Sequence, residues 1–142
     1  MKTKMVKQTE ACHKWYVVNV ADKVLGRAAS EIAVLLMGKN RADFTPHVDN
    51  GGGVVALNCG KVKVTGNKAS QKVYKRYSGY PGGLKETVYE KMLEKDPKYI
   101  MRHAVRGMLP KTKLGDRMMK RLKLYAGDTH SHIAQKPEEK KL

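Results

Sequence analysis

Acidic side chains are scarce in this sequence: 13 Asp and Glu face 29 Lys and Arg, leaving a formal net charge of +16 over 142 residues. A compact body with that imbalance repels itself, so a polyanionic partner is expected, nucleic acid first and an anionic membrane second. Long apolar runs are missing too. No stretch approaches the roughly 18–20 apolar residues of a membrane-spanning helix, and the mixed, polar residues 1–13 have no signal-peptide core. Cysteine is nearly absent. Cys12 and Cys59 are unlike a disulfide framework, and neither has a second ligand at zinc spacing. A reduced, cytoplasmic setting is the expectation that follows.

Hydrophobic residues nevertheless make up 41% of the chain, so it is expected to fold as one domain and not to persist as a disordered basic tail. The charge is uneven. Residues 1–60 hold 8 basic and 5 acidic side chains, whereas residues 61–142 hold 21 and 8. The polyanion should therefore lie against surface built by the second half.

Local patterns place the elements. Trp15-Tyr-Val-Val-Asn-Val20 is aromatic and β-branched and reads as a buried strand, stopped by Ala21-Asp22-Lys23. From Leu25 the period changes: Leu25, Ala28, Ala29, Ile32, Ala33, Leu36 and Met37 form one helical stripe, with Asp22 as a candidate N-cap and Gly38 as the stop. A long loop over residues 39–53 ends in Gly51-Gly-Gly53. The apolar run 54–59 then has no alternation, as a strand covered on both faces requires. Strand, helix and strand in this order predict a βαβ unit and a parallel sheet. A further strand is expected at 73–77, followed by turn-rich residues 78–83. Leu84, Val88 and Met92 then predict one helix, and Asp96-Pro97 predicts the cap and first residue of a second. That second helix buries Ile100, Met101, Ala104, Val105 and Met108, ends near Gly107, and carries Lys98, Arg102 and Arg106 as a basic stripe. A short helix at 116–121, a strand at 122–126 and a frayed end at 136–142 complete the reading.

A parallel sheet invites enzyme hypotheses, but the motifs fail. A dinucleotide site needs a glycine-rich turn after the first strand, and residues 21–24 contain no glycine. Between Gly60 and Gly66 lie five residues, and Asn67 precedes Lys68, so no P-loop is spelled. Asp128, His130 and His132 could ligate a metal only with a second, distant cluster, which is missing. His47 and Asp49 read as loop-ordering residues and not as a catalytic dyad. The expectation is a non-enzymatic protein with no cofactor, no metal and no small-molecule substrate.

Two basic blocks carry the functional signal. Residues 61–76 hold Lys61, Lys63, Lys68, Lys72, Lys75 and Arg76 with no acid among them, and Tyr74 and Tyr77 offer flat faces for stacking on bases. Residues 111–123 hold Lys111, Lys113, Arg117, Lys120, Arg121 and Lys123 against Asp116 alone. A merely solvated surface normally mixes signs, so phosphate contact is the better explanation. Membrane binding would want a basic helix with exposed aromatics opposite, and the apolar faces here belong to the core. Gly66, Gly79, Gly82, Gly83, Gly107, Gly115 and Gly127 lie beside these blocks, either as turn punctuation or to admit a ribose–phosphate backbone.

The same residues resemble a family. Trp15-Tyr-Val-Val with Leu25-Gly-Arg27, then Phe44-Thr-Pro-His-Val-Asp49, is similar to the opening of the ribosomal protein L-thirteen family, the thirteenth protein of the large ribosomal subunit, in its bacterial form. Asn58, Lys61-Val62, Thr65-Gly66-Asn67-Lys68, Gly107-Met-Leu-Pro-Lys111, Leu114-Gly115, and Leu122-Lys-Leu-Tyr-Ala-Gly127 with His130 and His132 continue it in order. The match spans residues 14–137, leaving a leader over 1–13 and a charged tail over 138–142. The resemblance implies an α/β fold: a single three-layer α/β/α domain around a small, mostly parallel sheet of about four strands. It also implies a cytoplasmic, early-assembling ribosomal constituent that binds large-subunit (23S-type) rRNA beside neighbouring large-subunit proteins. Lys61, Lys68, Lys111, His130 and His132 carry over as rRNA-facing positions; the other basic residues rest on charge. A free mRNA-binding translational regulator is the alternative. The chain departs from the family pattern at Gly51-Gly-Gly53, expected to add flexibility, at Ser131, and at Ala134-Gln-Lys-Pro137 with its charged tail.

Overall fold

The β-branched run after Lys14 forms strand β1, Trp15–Asn19, and the unalternating apolar run forms β2, Gly53–Leu57, every residue of which is buried. The computed structural model describes residues 5–141, so the first four positions of the leader and Leu142 lie outside the described residues. β1 and β2 pair in parallel, Val17 opposite Val55. Helix α1, Leu25–Met37, connects them and ends on Gly38, whose left-handed backbone (φ 78°) lets its N–H reach the carbonyls of Val34 and Leu35. Asp22 does not cap this helix. Its own backbone is left-handed (φ 60°) and its carboxylate pairs with Lys63 at 2.6 Å. The backbone of Lys63 does the capping instead, accepting the Leu25 N–H at 2.9 Å.

The expected four parallel strands are present, with Leu122–Leu124 (β5) beside β2 and Glu138–Glu139 (β6) beside β1, but two assignments within them change. β6 lies inside the segment read as a frayed tail. The edge of β1 offers unpaired backbone groups that the tail satisfies, with the Lys140 N–H donating to Val17 O at 2.9 Å. Residues 73–77 do form a strand, β3, but outside this sheet. It makes an antiparallel hairpin with β4, Leu84–Val88, where a helix was expected. The i, i+4 spacing of Leu84 and Val88 favours a helix, but pairing with β3 opposite, with Lys75 joined to Glu86 at 2.9 Å, selects the strand. Helix α3 therefore begins only at Tyr89 and runs to Lys95.

Helix α4, Pro97–Met108, starts as predicted, with the Asp96 carboxylate accepting the N–H groups of Lys98 and Tyr99. Helix α5, Lys113–Lys120, begins earlier than its spacing implied because the Thr112 hydroxyl caps it. One contiguous core joins Val18, Val54, Ala56, Leu122 and Leu124 of the sheet to Ile32 and Leu36 of α1, Ile100, Met101 and Val105 of α4, and Met118 of α5. Burying each large aliphatic side chain contributes roughly 1.5–3 kcal/mol. Strand alternation turns Trp15, Val55 and Tyr125 to the other face. There the cover is coil and turn in place of helix: His132 stacks on Trp15 at 6.0 Å, Tyr125 meets His132 edge-on at 5.9 Å, and the Tyr125 and Ser131 hydroxyls lie 2.9 Å apart.

The long loop is held from two sides. Arg41 grips both Asp43 oxygens at 2.9 Å and donates to the Cys12 carbonyl, and its guanidinium holds the Asp43 carboxyl down to about 2. Arg121 forks onto Asp49 with two bonds of 2.5 Å and also donates to Gly52 O and Leu36 O. The triple glycine is packed and not flexible: a Cβ on Gly51 would stand 1.7 Å from Leu36 O.

Asp49→Ala leaves the Arg121 guanidinium, 14% exposed, without its counter-charge. We expect a loss of about 3 kcal/mol or more in urea unfolding; an unshifted midpoint would refute a structural role for this pair. Burial pushes the Cys59 thiol up to about 11, while Cys12 is exposed. A thiol reagent at pH 8 should count one fast group in the native protein and two in denaturant, and two fast native groups would contradict the buried position.

Candidate nucleic-acid interface

The first basic block is distributed over short elements. Lys61 is exposed at the end of a 3-10 turn, Cys59–Lys61, and Lys68 is exposed at the start of helix α2, Lys68–Gln71. Lys63 is exposed but paired to Asp22, and Lys75 is paired to Glu86. Lys72 sits 5.6 Å above the Tyr74 ring. Arg76 is exposed beside Tyr77, which is 64% exposed, and Tyr80 at the hairpin tip is 75% exposed. Tyr74 has the opposite disposition. It is buried, edge-on to Tyr99 at 5.8 Å and to His103 at 5.3 Å, and burial pushes its hydroxyl up to about 12. It cannot offer a stacking face; it wedges the hairpin against α4. Tyr77 keeps the face the sequence assigned to it, and Tyr80 is an exposed ring that composition alone did not single out.

The second block divides by direction. On α5, Leu114 and Met118 turn inward while Lys113, Arg117 and Lys120 are exposed, and Lys111 is exposed ahead of the helix. Lys123 is half-buried on β5. Arg121 leaves the set of outward cations, because its guanidinium faces Asp49 and two carbonyls within the fold. His130 and His132 are half-buried in the aromatic cover of the sheet, where the His132 N–H donates to His130 Nδ1 at 3.1 Å. No group of three or more His, Cys, Asp or Glu that could hold a metal occurs among the described residues.

What the sequence could not join is the stripe on α4 and the block on α5. Arg106 and His103 of α4 face Lys111 and Asp116 across a cleft of about 550 Å³, floored by Leu109, Pro110 and Met119. His103 also touches Tyr74 of the hairpin. One side chain therefore borders both the packing of the first block and the cleft of the second. The four-residue spacing of Arg102 and Arg106 was visible in sequence; the nearness of Arg106 to Lys111 depends on how the chain turns after α4. Among the described residues no ion pair neutralises Arg102, Arg106, Lys111, Lys113, Arg117 or Lys120. Leaving so many cations without counter-charges on one pair of helices raises the local potential, which attracts a polyanion.

Comparison with known proteins agrees with the sequence motifs. A family profile described as Ribosomal protein L13 matches residues 13–131. The chain is 54% identical over 139 residues, covering 98% of this chain and 97% of the relative, to "Large ribosomal subunit protein uL13" of Thermoanaerobacter sp. (strain X514). Proteins with the same description from Rubrobacter xylanophilus and Lawsonia intracellularis are 54% and 53% identical, over 97% and 96% of this chain and 96% and 95% of their own lengths. A profile matching most of the chain and identity above half along nearly its full length leave one conclusion: the chain belongs to the ribosomal protein L13 family, a family of structural, non-enzymatic proteins of the large ribosomal subunit.

Proposed function

We propose that this chain, a structural constituent of the large ribosomal subunit, binds large-subunit rRNA through the cations of α4, α5 and the 61–76 segment and helps to order that RNA early in assembly. The observation that carries the reading is the meeting at His103. Its ring packs on Tyr74 of the hairpin and lines the cleft that Arg106 shares with Lys111. Tyr74 of the first basic segment thereby packs on the same helix whose Arg106 lines the cleft with Lys111.

The mechanism is scaffolding. Lys and Arg displace condensed counterions from phosphates, so affinity is large and steeply salt-dependent. The α/β body fixes where the charges sit, and specificity comes from matching an RNA shape more than from reading bases. A protein that binds one RNA arrangement better than others stabilises it by the difference in affinity. Neighbouring large-subunit proteins and a cytoplasmic, ribosome-bound location belong to the same proposal. The relatives' printed description supports the ribosomal setting, and the charge pattern supports rRNA as the ligand.

Lys111→Glu combined with Lys113→Glu should lower rRNA affinity by an order of magnitude or more and flatten the log–log salt slope by roughly 2, with an unchanged circular dichroism spectrum. Equal affinity across a salt series would remove the α5 block from the interface. In sucrose gradients the protein should travel with large subunits at moderate salt. Recovery only in the light fractions would sink the ribosomal reading and favour a free mRNA-binding regulator.

A further inference from the structure

Most glycines beside the basic segments have a reason inside the chain. Gly66, Gly79 and Gly82 have positive φ, and a Cβ on Gly115 would stand 1.9 Å from the carbonyl of Pro110. Gly107 has none of these reasons. It lies within α4, one residue from its end, its φ is not left-handed, it is exposed, and a Cβ would meet no atom within 4 Å. Inside a helix glycine is less favourable than alanine because it loses more backbone entropy on folding. The fold is therefore weakened at Gly107 without any gain in its own packing, and the position lies on the wall of the α4–α5 cleft between Arg106 and Leu109.

We propose that the α4–α5 cleft receives a ribose–phosphate strand and that Gly107 is the point where that strand comes closest to the helix. This rests on the RNA-binding reading above and goes further by naming the place and the reason. Arg106 and Lys111 supply phosphate contacts on either side of the approach. Asp116, the one acid of the cleft, would repel a free phosphate but can accept the 2′-hydroxyl of a ribose, so the lining fits a ribonucleotide strand better than a bare anion. A side chain at position 107 would hold the strand away from both cations.

The test compares Gly107→Ala and Gly107→Leu with wild type in the full-length chain, using deproteinised large-subunit rRNA across a salt series together with thermal unfolding. The expected result pairs opposite signs. Tm stays level or rises by about 1–3 °C, since the space is open and the helix gains a better former. Affinity falls, about tenfold for Ala and more for Leu, while the salt slope stays parallel to wild type because every cation remains. Lys111→Glu serves as the contrast, changing the slope itself. Binding of Gly107→Leu within twofold of wild type overturns the inference and leaves RNA binding intact. A lowered Tm in both variants also overturns it, by showing that the position is packed within the fold. Failure of wild type to bind rRNA at all refutes the preceding functional reading, and this inference with it.

Discussion

Arg121 donates through both terminal nitrogens to Asp49 and through Nε to the carbonyl of Gly52, and one terminal nitrogen reaches Leu36 as well. With these bonds one side chain at the head of β5 secures the end of α1, the close of the 39–52 loop and the entry to β2. The pair is largely withdrawn from water, so its attraction must offset a real desolvation cost, and the two-pronged geometry with extra carbonyl acceptors is what makes that possible. The glycines next to it follow from the same crowding, since Leu36 O lies where a side chain on Gly51 would be. β2 is the central strand of the sheet with β1, so whatever anchors its first residues anchors the register of both neighbours.

From that anchored sheet the two electrostatic halves of the molecule separate. Acids and cations neutralise one another near the first strands and the loop: Asp22 with Lys63, Asp43 with Arg41, Asp49 with Arg121. Among the described residues no ion pair engages the cations of α4 and α5. The core beneath them, through Ile100, Val105 and Met118, supplies the apolar burial that keeps two mutually repelling helix faces together. A folded body that holds repelling charges in fixed places is preorganised for a polyanion, because the cost of gathering them has been met before binding.

Some elements were legible because their signals are local. The seven-residue stripe of α1, its Gly38 stop, and the Asp96-Pro97 start of α4 are each decided within a turn or two of chain. Others were not, for reasons that can be named. Leu84 and Val88 carry only the helical spacing, and the pairing with β3, which is tertiary, overrides it. Glu138 and Glu139 have poor strand propensity, and they pair because the edge of β1 is available to them. Tyr74 and Arg121 looked like interface residues by composition. His103 and Tyr99 draw the first into the core, and Asp49, 72 residues away, turns the second inward.

The amino-acid sequence by itself determined the α/β class and the family, because hydrophobic period and ordered motifs are properties of the chain however it is arranged; its net charge of +16 is what motivates the proposal of a polyanionic partner. Tertiary structure alone decided which cations remain free and which of them become neighbours. A charge faces a ligand only if no partner within the fold claims it first, and that competition is settled by contacts between residues far apart in sequence. The scarcity of acids therefore leaves a large cationic excess, while the positions of the few acids present, above all Asp49, determine which basic residues find a counter-charge within the fold.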